Sequence, residues 1–380
     1  MMSRLHFLRL ILSLPLAGFL FLVSRHHRRG PGRPLPGDAT LPPPPPERDF
    51  VTVPKPPPPP PGLLYGYPTP QTRLGEVQDE TVYMPTASGR ILSAHYGSTR
   101  TNNSGQATFH EGTDIGPTRR DRRQHALDEI YAVTDGKIAY INRIAGNSTY
   151  GIYIVLTHQE ADFGEFYTLY AHLASVPSEL RAGQTVARGE VIGVMGHTSS
   201  FSIPPQRAHL HLEIGVIHNQ HYASWYRAQK RTPDHGTFHG HNLTGMQPLD
   251  MLLLLEENGP ARFSIREGLA KTPAAFELAI HAPALPDYFR RHPSLWQGEH
   301  FRGGVMVLEV SESGIPLRGR RATAAEAAGV TERSPKVLEV FPYALGRNGR
   351  RIIITRSGQA ATLTTGGQEW LTTLLYRAGR

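Results

Sequence analysis

Nineteen histidines are scattered through the 380 residues, so an isolated one says little, and spacing separates the informative few. The first group is Phe109-His110-Glu111-Gly112-Thr113-Asp114-Ile115-Gly116. A His and an Asp four residues apart, with glycines at 112 and 116, suit a turning segment that folds two hard-to-borderline ligands onto one cation. The second is Ala208-His209-Leu210-His211-Leu212-Glu213-Ile214. Its strict alternation marks a strand, and because strand side chains repeat every second residue, His209 and His211 share one face while Leu210 and Leu212 face the core. The third is Tyr170-Ala171-His172-Leu173, where His172 ends another apolar strand and alone reads as an ordinary satisfied histidine. His110, Asp114 and one His of the 209/211 pair together supply the N₂O set of a catalytic zinc whose fourth position is left to water. The spare histidine and His172 remain for acid and base work. Zinc lowers the pKa of water toward ~7, where a neutral imidazole can take or return the proton. The chemistry expected is hydrolysis.

These groups need elements to hold them. From Glu76 onward, short β-patterned runs alternate with Gly, Asn, Asp and Pro, and strands are expected at Ile130 to Val133, Lys137 to Arg143, Ile152 to His158, Phe166 to His172, Val191 to Met195 and Leu210 to Gly215. Few helices compete. Further on, Val305 to Val310, Lys336 to Phe341 and Arg351 to Thr355 read as strands, and Ala322 to Gly329 and Gln368 to Tyr376 as short helices.

Composition bounds the rest. With no cysteine, disulfides, thiol catalysis and iron–sulfur clusters are excluded and any metal must be held by His, Asp or Glu. Of 33 prolines, most of those before residue 71 fall in runs such as Pro42 to Pro46 and Pro56 to Pro61, which favour extended polyproline II. Residues 30–75 are therefore expected to form a disordered linker, of which residues 31–70 could reach on the order of 100 Å. Before it, Arg4 and Arg9 precede the apolar run Leu10 to Val23, followed by Arg25, Arg28 and Arg29. No A-x-A site follows, so residues 1–29 read as an uncleaved signal anchor, with a cleaved signal peptide as the alternative. The net charge of +8 lies on the flanks, whereas residues 76–261 are acidic. A nucleic-acid enzyme is expected to put its basic field around its chemistry, so no nucleic-acid partner is expected.

In order and approximate spacing these residues resemble the lysostaphin-like, or LytM-type, zinc metallopeptidases of bacterial cell walls. The shared pattern is His110-Glu111-Gly112-Thr113-Asp114, then Ala132-Val133-Thr134-Asp135-Gly136, Tyr170-Ala171-His172-Leu173, a Gly-rich turn from Gly183 to Gly193, and His209-Leu210-His211-Leu212-Glu213. It covers about Val82 to Gly215. The resemblance implies a mainly β, antiparallel fold with its site in a groove on the sheet. It also implies one Zn²⁺ on His110, Asp114 and His211, with His172 and His209 flanking the water and the scissile carbonyl. Peptidoglycan would be the substrate and the cell envelope the location, with the membrane reached through residues 1–29. A LytM-type module that binds wall and activates another hydrolase is the alternative.

The chain departs from the family in places. The stretch Gly196 to Ala208 is longer than the usual turn before the His-Leu-His strand, which places extra chain at a groove wall. A tract of about 218–245 holds His218, His221, His235, His239 and His241 and, with no strand or helix spacing to organise them, reads first as a solvated insertion within a catalytic domain of 76–258 and second as a further metal site. Arg119, Arg120, Arg122 and Arg123 read as a solvated loop first and as binders of substrate carboxylates second. His110-Glu111-Gly112-Thr113-Asp114 also mimics a helical zincin motif with Glu111 as base, but its glycine and the following Gly116-Pro117 argue against a helix. Residues 259–380 are expected to form a basic C-terminal α+β domain of unknown role. This domain, or the Pro-rich linker, could dock a protein partner.

Overall fold

The computed structural model describes residues 62–101, 107–229, 242–345, 353–356 and 359–378. The expected anchor at 1–29, residues 30–61 of the expected linker, and His235, His239 and His241 lie outside the described residues. Among the described residues no helix is long and apolar enough to cross a membrane.

Where the expected linker enters the described residues, it is part of the fold. Strand β1 (Leu63–Tyr65) pairs with residues 261–263, and Tyr65 and Leu74 are fully buried. The expectation of a linker out to residue 75 is thus corrected over 62–75. Unlike the proline runs, Leu63–Tyr65 carries backbone N–H groups that a sheet can use.

Strands β2 (Thr99–Thr101) and β3 (Ala107–Phe109) form a two-stranded ribbon leading into β4 (Thr113–Ile115). The larger sheet continues through β5 (Glu129–Tyr131), β6 (Gly136–Asn142), β7 (Ile152–Glu160), β8 (Gly164–Ser175), β9 (Thr185–Val186), β10 (Val191–Met195), β11 (Leu210–Ile217) and β12 (Leu243–Met246). Its main path runs β12-β11-β8-β7-β6-β9, with β4 on β11, and β10 bridging β8 and β5. Every pairing in it is antiparallel. All six strands expected in this region form, with ends shifted by a few residues.

Alternation gives the sheet two distinct faces. Ile154, Leu156, Phe166, Tyr170, Leu210, Leu212 and Ile214 enter the main core. Tyr153, Val155, Tyr167, Leu169 and Ala171 form a smaller cluster on the other face, and it is there that β11 presents His211 and Glu213.

Strand β13 (Ala261–Phe263) closes on β1, and a second sheet follows: β14 (Ala274–Ala282), β15 (Trp296–Gln297), β16 (Gly304–Ser311), β17 (Pro316–Arg321) and β18 (Lys336–Val340), ordered β15-β17-β16-β14-β18. Helices α1 (Tyr222–Ala228), α2 (Leu249–Asn258), α3 (Ile265–Lys271), α4 (Asp287–Arg291), α5 (Ala324–Ala327) and α6 (Thr365–Leu375) complete the described elements used below. One buried cluster takes side chains from both sheets and from α6, among them Phe166, Leu212, Phe276, Leu308 and Leu374. Buried polar contacts reinforce it. Glu160, at the end of β7, accepts from Ser264 Oγ at 2.7 Å and from the Ile265 N–H at 2.8 Å, at the start of α3, where an anion is favoured by the unpaired amides and the helix dipole.

The expected solvated insertion is corrected at its ends. His218 and Asn219 are fully buried, Asn219 Nδ2 donates to the Thr373 carbonyl at 2.9 Å, Tyr222 and Trp225 of α1 are buried, and β12 extends the sheet beside β11. The histidines follow no helix or strand spacing, which points to solvent. The apolar residues between the histidines, which the sheet recruits, decided otherwise.

Candidate metal centre

Strand β4 lies directly beside β11, with Asp114 opposite His211. His110 sits just before β4, so the 110–114 segment is a strand entry and not a helix, which removes the zincin-like reading of Glu111. Gly112 is required by closeness: a Cβ there would stand 2.4 Å from the Leu212 carbonyl oxygen and 2.9 Å from the His211 ring.

Three donor atoms meet. His110 Nε2 lies 3.1 Å from Asp114 Oδ1 and 3.0 Å from His211 Nδ1, and His211 Nδ1 lies 2.9 Å from the same Oδ1. All three residues are buried, and together they form a cluster able to hold a metal ion. Each is oriented from behind. His110 Nδ1 donates to the His95 carbonyl at 3.0 Å. His211 Nε2 donates to Glu213 Oε1 at 3.1 Å. The Glu213 carboxylate also accepts from Tyr150 and Tyr167 hydroxyls at 2.6 Å each. The outer oxygen of Asp114, Oδ2, is paired with Arg100, whose Nε donates to the Ser93 carbonyl at 2.9 Å.

Electrostatics shows what this cluster accepts. Burial, joined by the Arg100 charge, pushes the His110 imidazolium down to about 4 even with Asp114 alongside. For His211 burial again opposes charge, but hydrogen bonds to Asp114 and Glu213 outweigh it and hold the ring up at about 9. Asp114 stays ionised well below the usual carboxylate range; burial opposes this, but Arg100 and the neighbouring imidazoles prevail. A positive charge is thus favoured where the three atoms meet. A cation fits there without protonating either ring, because each histidine uses its second nitrogen as a donor elsewhere. Two imidazoles and one carboxylate oxygen are a zinc-type donor set with room for a further ligand.

The remaining two histidines flank this cluster. His209 Nδ1 donates to the Arg207 carbonyl at 2.7 Å, and its Nε2 lies 3.7 Å from Asp114 Oδ2. The rings of His172 and His209 are 4.7 Å apart, and those of His172 and His211 5.9 Å. By simple alternation His172 would follow Tyr170 onto the core face. Instead it adopts a left-handed backbone (φ 60°). Opposite it, β8 carries one more residue than β7 between the pairs Ile152↔Leu173 and Ile154↔Tyr170. This bulge returns Leu173 to the core and turns His172 to the metal side. A non-glycine residue at positive φ costs on the order of 1 kcal/mol or more, and such strain gathers at functional sites. Its ring is fixed by Nδ1 donating to the Thr198 carbonyl at 2.8 Å. Burial lowers the pKa of both flanking histidines, so each keeps a neutral ring.

The long 196–208 stretch forms the wall beside His172 and His209. Ser200 N–H donates to the Ser148 carbonyl at 2.9 Å and Ser199 Oγ to the Thr149 carbonyl at 2.8 Å. Gly151 (φ +65°) allows the close approach: a Cβ there would lie 2.1 Å from the Thr198 carbonyl oxygen. Of the four arginines after the first motif, Arg119, Arg122 and Arg123 are exposed, while Arg120 Nη1 donates to the Pro205 carbonyl at 2.8 Å and staples the wall. Sequence reasoning singled out all five polar residues that converge here. It missed Arg100, Tyr150 and Tyr167 and gave Glu213 no role; only Glu213, continuing the face of His209 and His211, left a signal in the sequence.

An antiparallel sheet here buries a His-Asp-His cluster that could hold a metal ion beside two further histidines. Residues 108–224 match the family model described as Peptidase family M23. Comparison with curated proteins returns no match. Among solved structures, a zinc-containing peptidase from Vibrio cholerae is 22% identical, with 40% of this chain and 37% of that chain covered and a TM-score of 0.27. The catalytic domain of the antimicrobial peptidase lysostaphin from Staphylococcus simulans is 21% identical, with 42% and 89% covered and a TM-score of 0.26. The chain thus spans little more than a third of the length of the Vibrio protein.

Proposed function

We propose that this chain is an exported zinc endopeptidase that hydrolyses an amide bond in the peptide stems or cross-links of peptidoglycan, with residues 1–29 tethering it to the membrane and the proline runs up to residue 61 as spacer. The observation that carries the reading is the meeting of His110 Nε2, Asp114 Oδ1 and His211 Nδ1 within 3.1 Å of one another, with two neutral histidines at their side.

His110, Asp114 and His211 would hold the zinc ion. Zinc, when bound, supplies Lewis acidity that makes water nucleophilic near neutral pH and polarises a carbonyl. Glu213 keeps the His211 proton on Nε2 and so leaves Nδ1 free to ligate. Arg100 engages Asp114 Oδ2 and leaves Oδ1 as the inward oxygen. His172 and His209 each have Nδ1 committed to a carbonyl, so Nε2 is the atom that can accept a proton from water or hydrogen-bond the oxyanion. Water adds to the carbonyl carbon, the C–N bond breaks, and the proton taken from water leaves with the amine.

Mass spectrometry of defined muropeptides incubated with zinc-replete protein tests the proposal. New fragments whose masses sum to the parent plus one water, and which vanish with a chelator, are expected. An intact digest would instead support a non-hydrolytic wall-binding module.

A further inference from the structure

Beside the metal cluster stands more positive charge than the cluster can use. Arg100 is paired with Asp114 Oδ2. Arg207, two residues before His209, is half-buried near the same carboxylate. Its Nη2 reaches only the Pro85 carbonyl, at 3.2 Å, and its Nε is buried without a hydrogen-bond partner. Burial works against the Arg207 charge, and Arg100 adds repulsion that Asp114 only partly relieves. Glu213 is taken up by His211, Tyr150 and Tyr167. Arg100 takes the outer oxygen of Asp114, and Arg207 forms no ion pair among the described residues. Such an arrangement is costly unless an anion completes it.

Arg207 is also well placed. Its carbonyl holds His209 Nδ1 at 2.7 Å, so the guanidinium and one of the two flanking histidines belong to the same short segment. The start of that segment, Pro205–Arg207, is a 3-10 turn stapled by Arg120, so the wall offers its arginine from a fixed backbone.

We propose that Arg207 is a specificity-determining residue that binds a substrate carboxylate on the residue next to the scissile amide, with Arg100 adding to the field, so that the peptide cleaved is acidic and not a neutral bridge. The inference rests on the peptidase reading above and names its substrate class.

The test uses a defined peptidoglycan dimer in two forms, one with the stem carboxylate beside the cleaved amide free and one with it converted to the carboxamide. Wild-type enzyme is expected to prefer the free acid by about tenfold or more in kcat/KM, mainly through KM, as for a hydrogen bond to a charged group. In Arg207→Gln the preference collapses toward unity, Arg207→Lys restores part of it, and Arg207→Glu reverses it. Thermal melting checks that each variant is folded. Equal cleavage of both forms by wild-type protein overturns the inference and leaves the peptidase reading intact. If neither form is cleaved, the peptidase reading fails, and calorimetric titration of the zinc-loaded protein with the same two ligands still decides the point: tighter binding of the acid supports the carboxylate site and equal binding overturns it.

Discussion

Strand β11 buries His211 and Glu213 on the face opposite the main core, whereas β14, in the second sheet, keeps its charge toward solvent. There Glu277 faces Glu309 on one side and Glu339 on the other. Like charges opposite one another on neighbouring strands are destabilising. They are tolerated because solvent screens them and because Arg318 and Arg320 lie 2.8 Å from Glu309 and 3.8 Å from Glu277. Phe276, Leu278 and Ile280 fill the core from the same strand. Around β11 the charge is buried, and His110, His211 and Asp114 are each held from behind by the His95 carbonyl, Glu213 and Arg100. A sheet can carry charge cheaply at its surface, but burying it demands partners, and a cation held by His110, Asp114 and His211 would complete this set.

This contrast can be broken or sharpened by experiment. The largest effect is expected from His211→Ala or Asp114→Ala, which should lower hydrolysis by ~10³-fold or more and abolish stoichiometric zinc binding by elemental analysis. Retained activity in either variant would remove the metal reading. Next, Phe276→Ala in the second sheet should cost about 3–5 kcal/mol in denaturant unfolding, while the molecules that remain folded still bind one zinc each.

A third effect compares buried histidines outside the site, one in each region. Burial lowers His158, on β7, and His292, after α4, to about 4 from 6.5. Between those values the unfolded chain binds more protons than the folded one. Stability should therefore fall as pH drops from about 6.5 to 4, by about 3 kcal/mol for each group. His158→Gln should flatten that slope in thermal melts at stepped pH, and an unchanged slope would assign it elsewhere. The smallest effects come from a matched pair of carboxylates. Glu213→Gln should weaken zinc binding by about 10–100-fold, measured by competition with a chromogenic chelator, whereas Glu309→Gln should stay within about 0.5 kcal/mol of wild-type stability. Similar effects from both would erase the distinction between the sheets.

What could be read in advance follows from locality. Leu210 to Leu212 and Ile152 to Leu156 announce strands because alternation is a property of neighbouring residues, and His110 and Asp114 stand out because four residues separate them. The pairing of Leu63–Tyr65 with Ala261–Phe263 joins segments about two hundred positions apart, with no period to reveal it. Arg100 meets Asp114 across the β2–β3 ribbon, and Tyr150 meets Glu213 from a different hairpin; each belongs to a contact that only the assembled sheet creates. His172 was identified by its motif, yet alternation alone points it into the core, because one added residue in β8 is invisible until its partner strand is known.

Gly151 carries no chemistry and touches no metal ligand, yet it governs the Thr198 carbonyl that anchors the His172 ring. A single methyl group at that position would shove the anchor aside while sparing every signature side chain. A copy of this domain could therefore carry all five of these polar residues and still lack the fixed His172 ring, so their presence alone does not report an intact site.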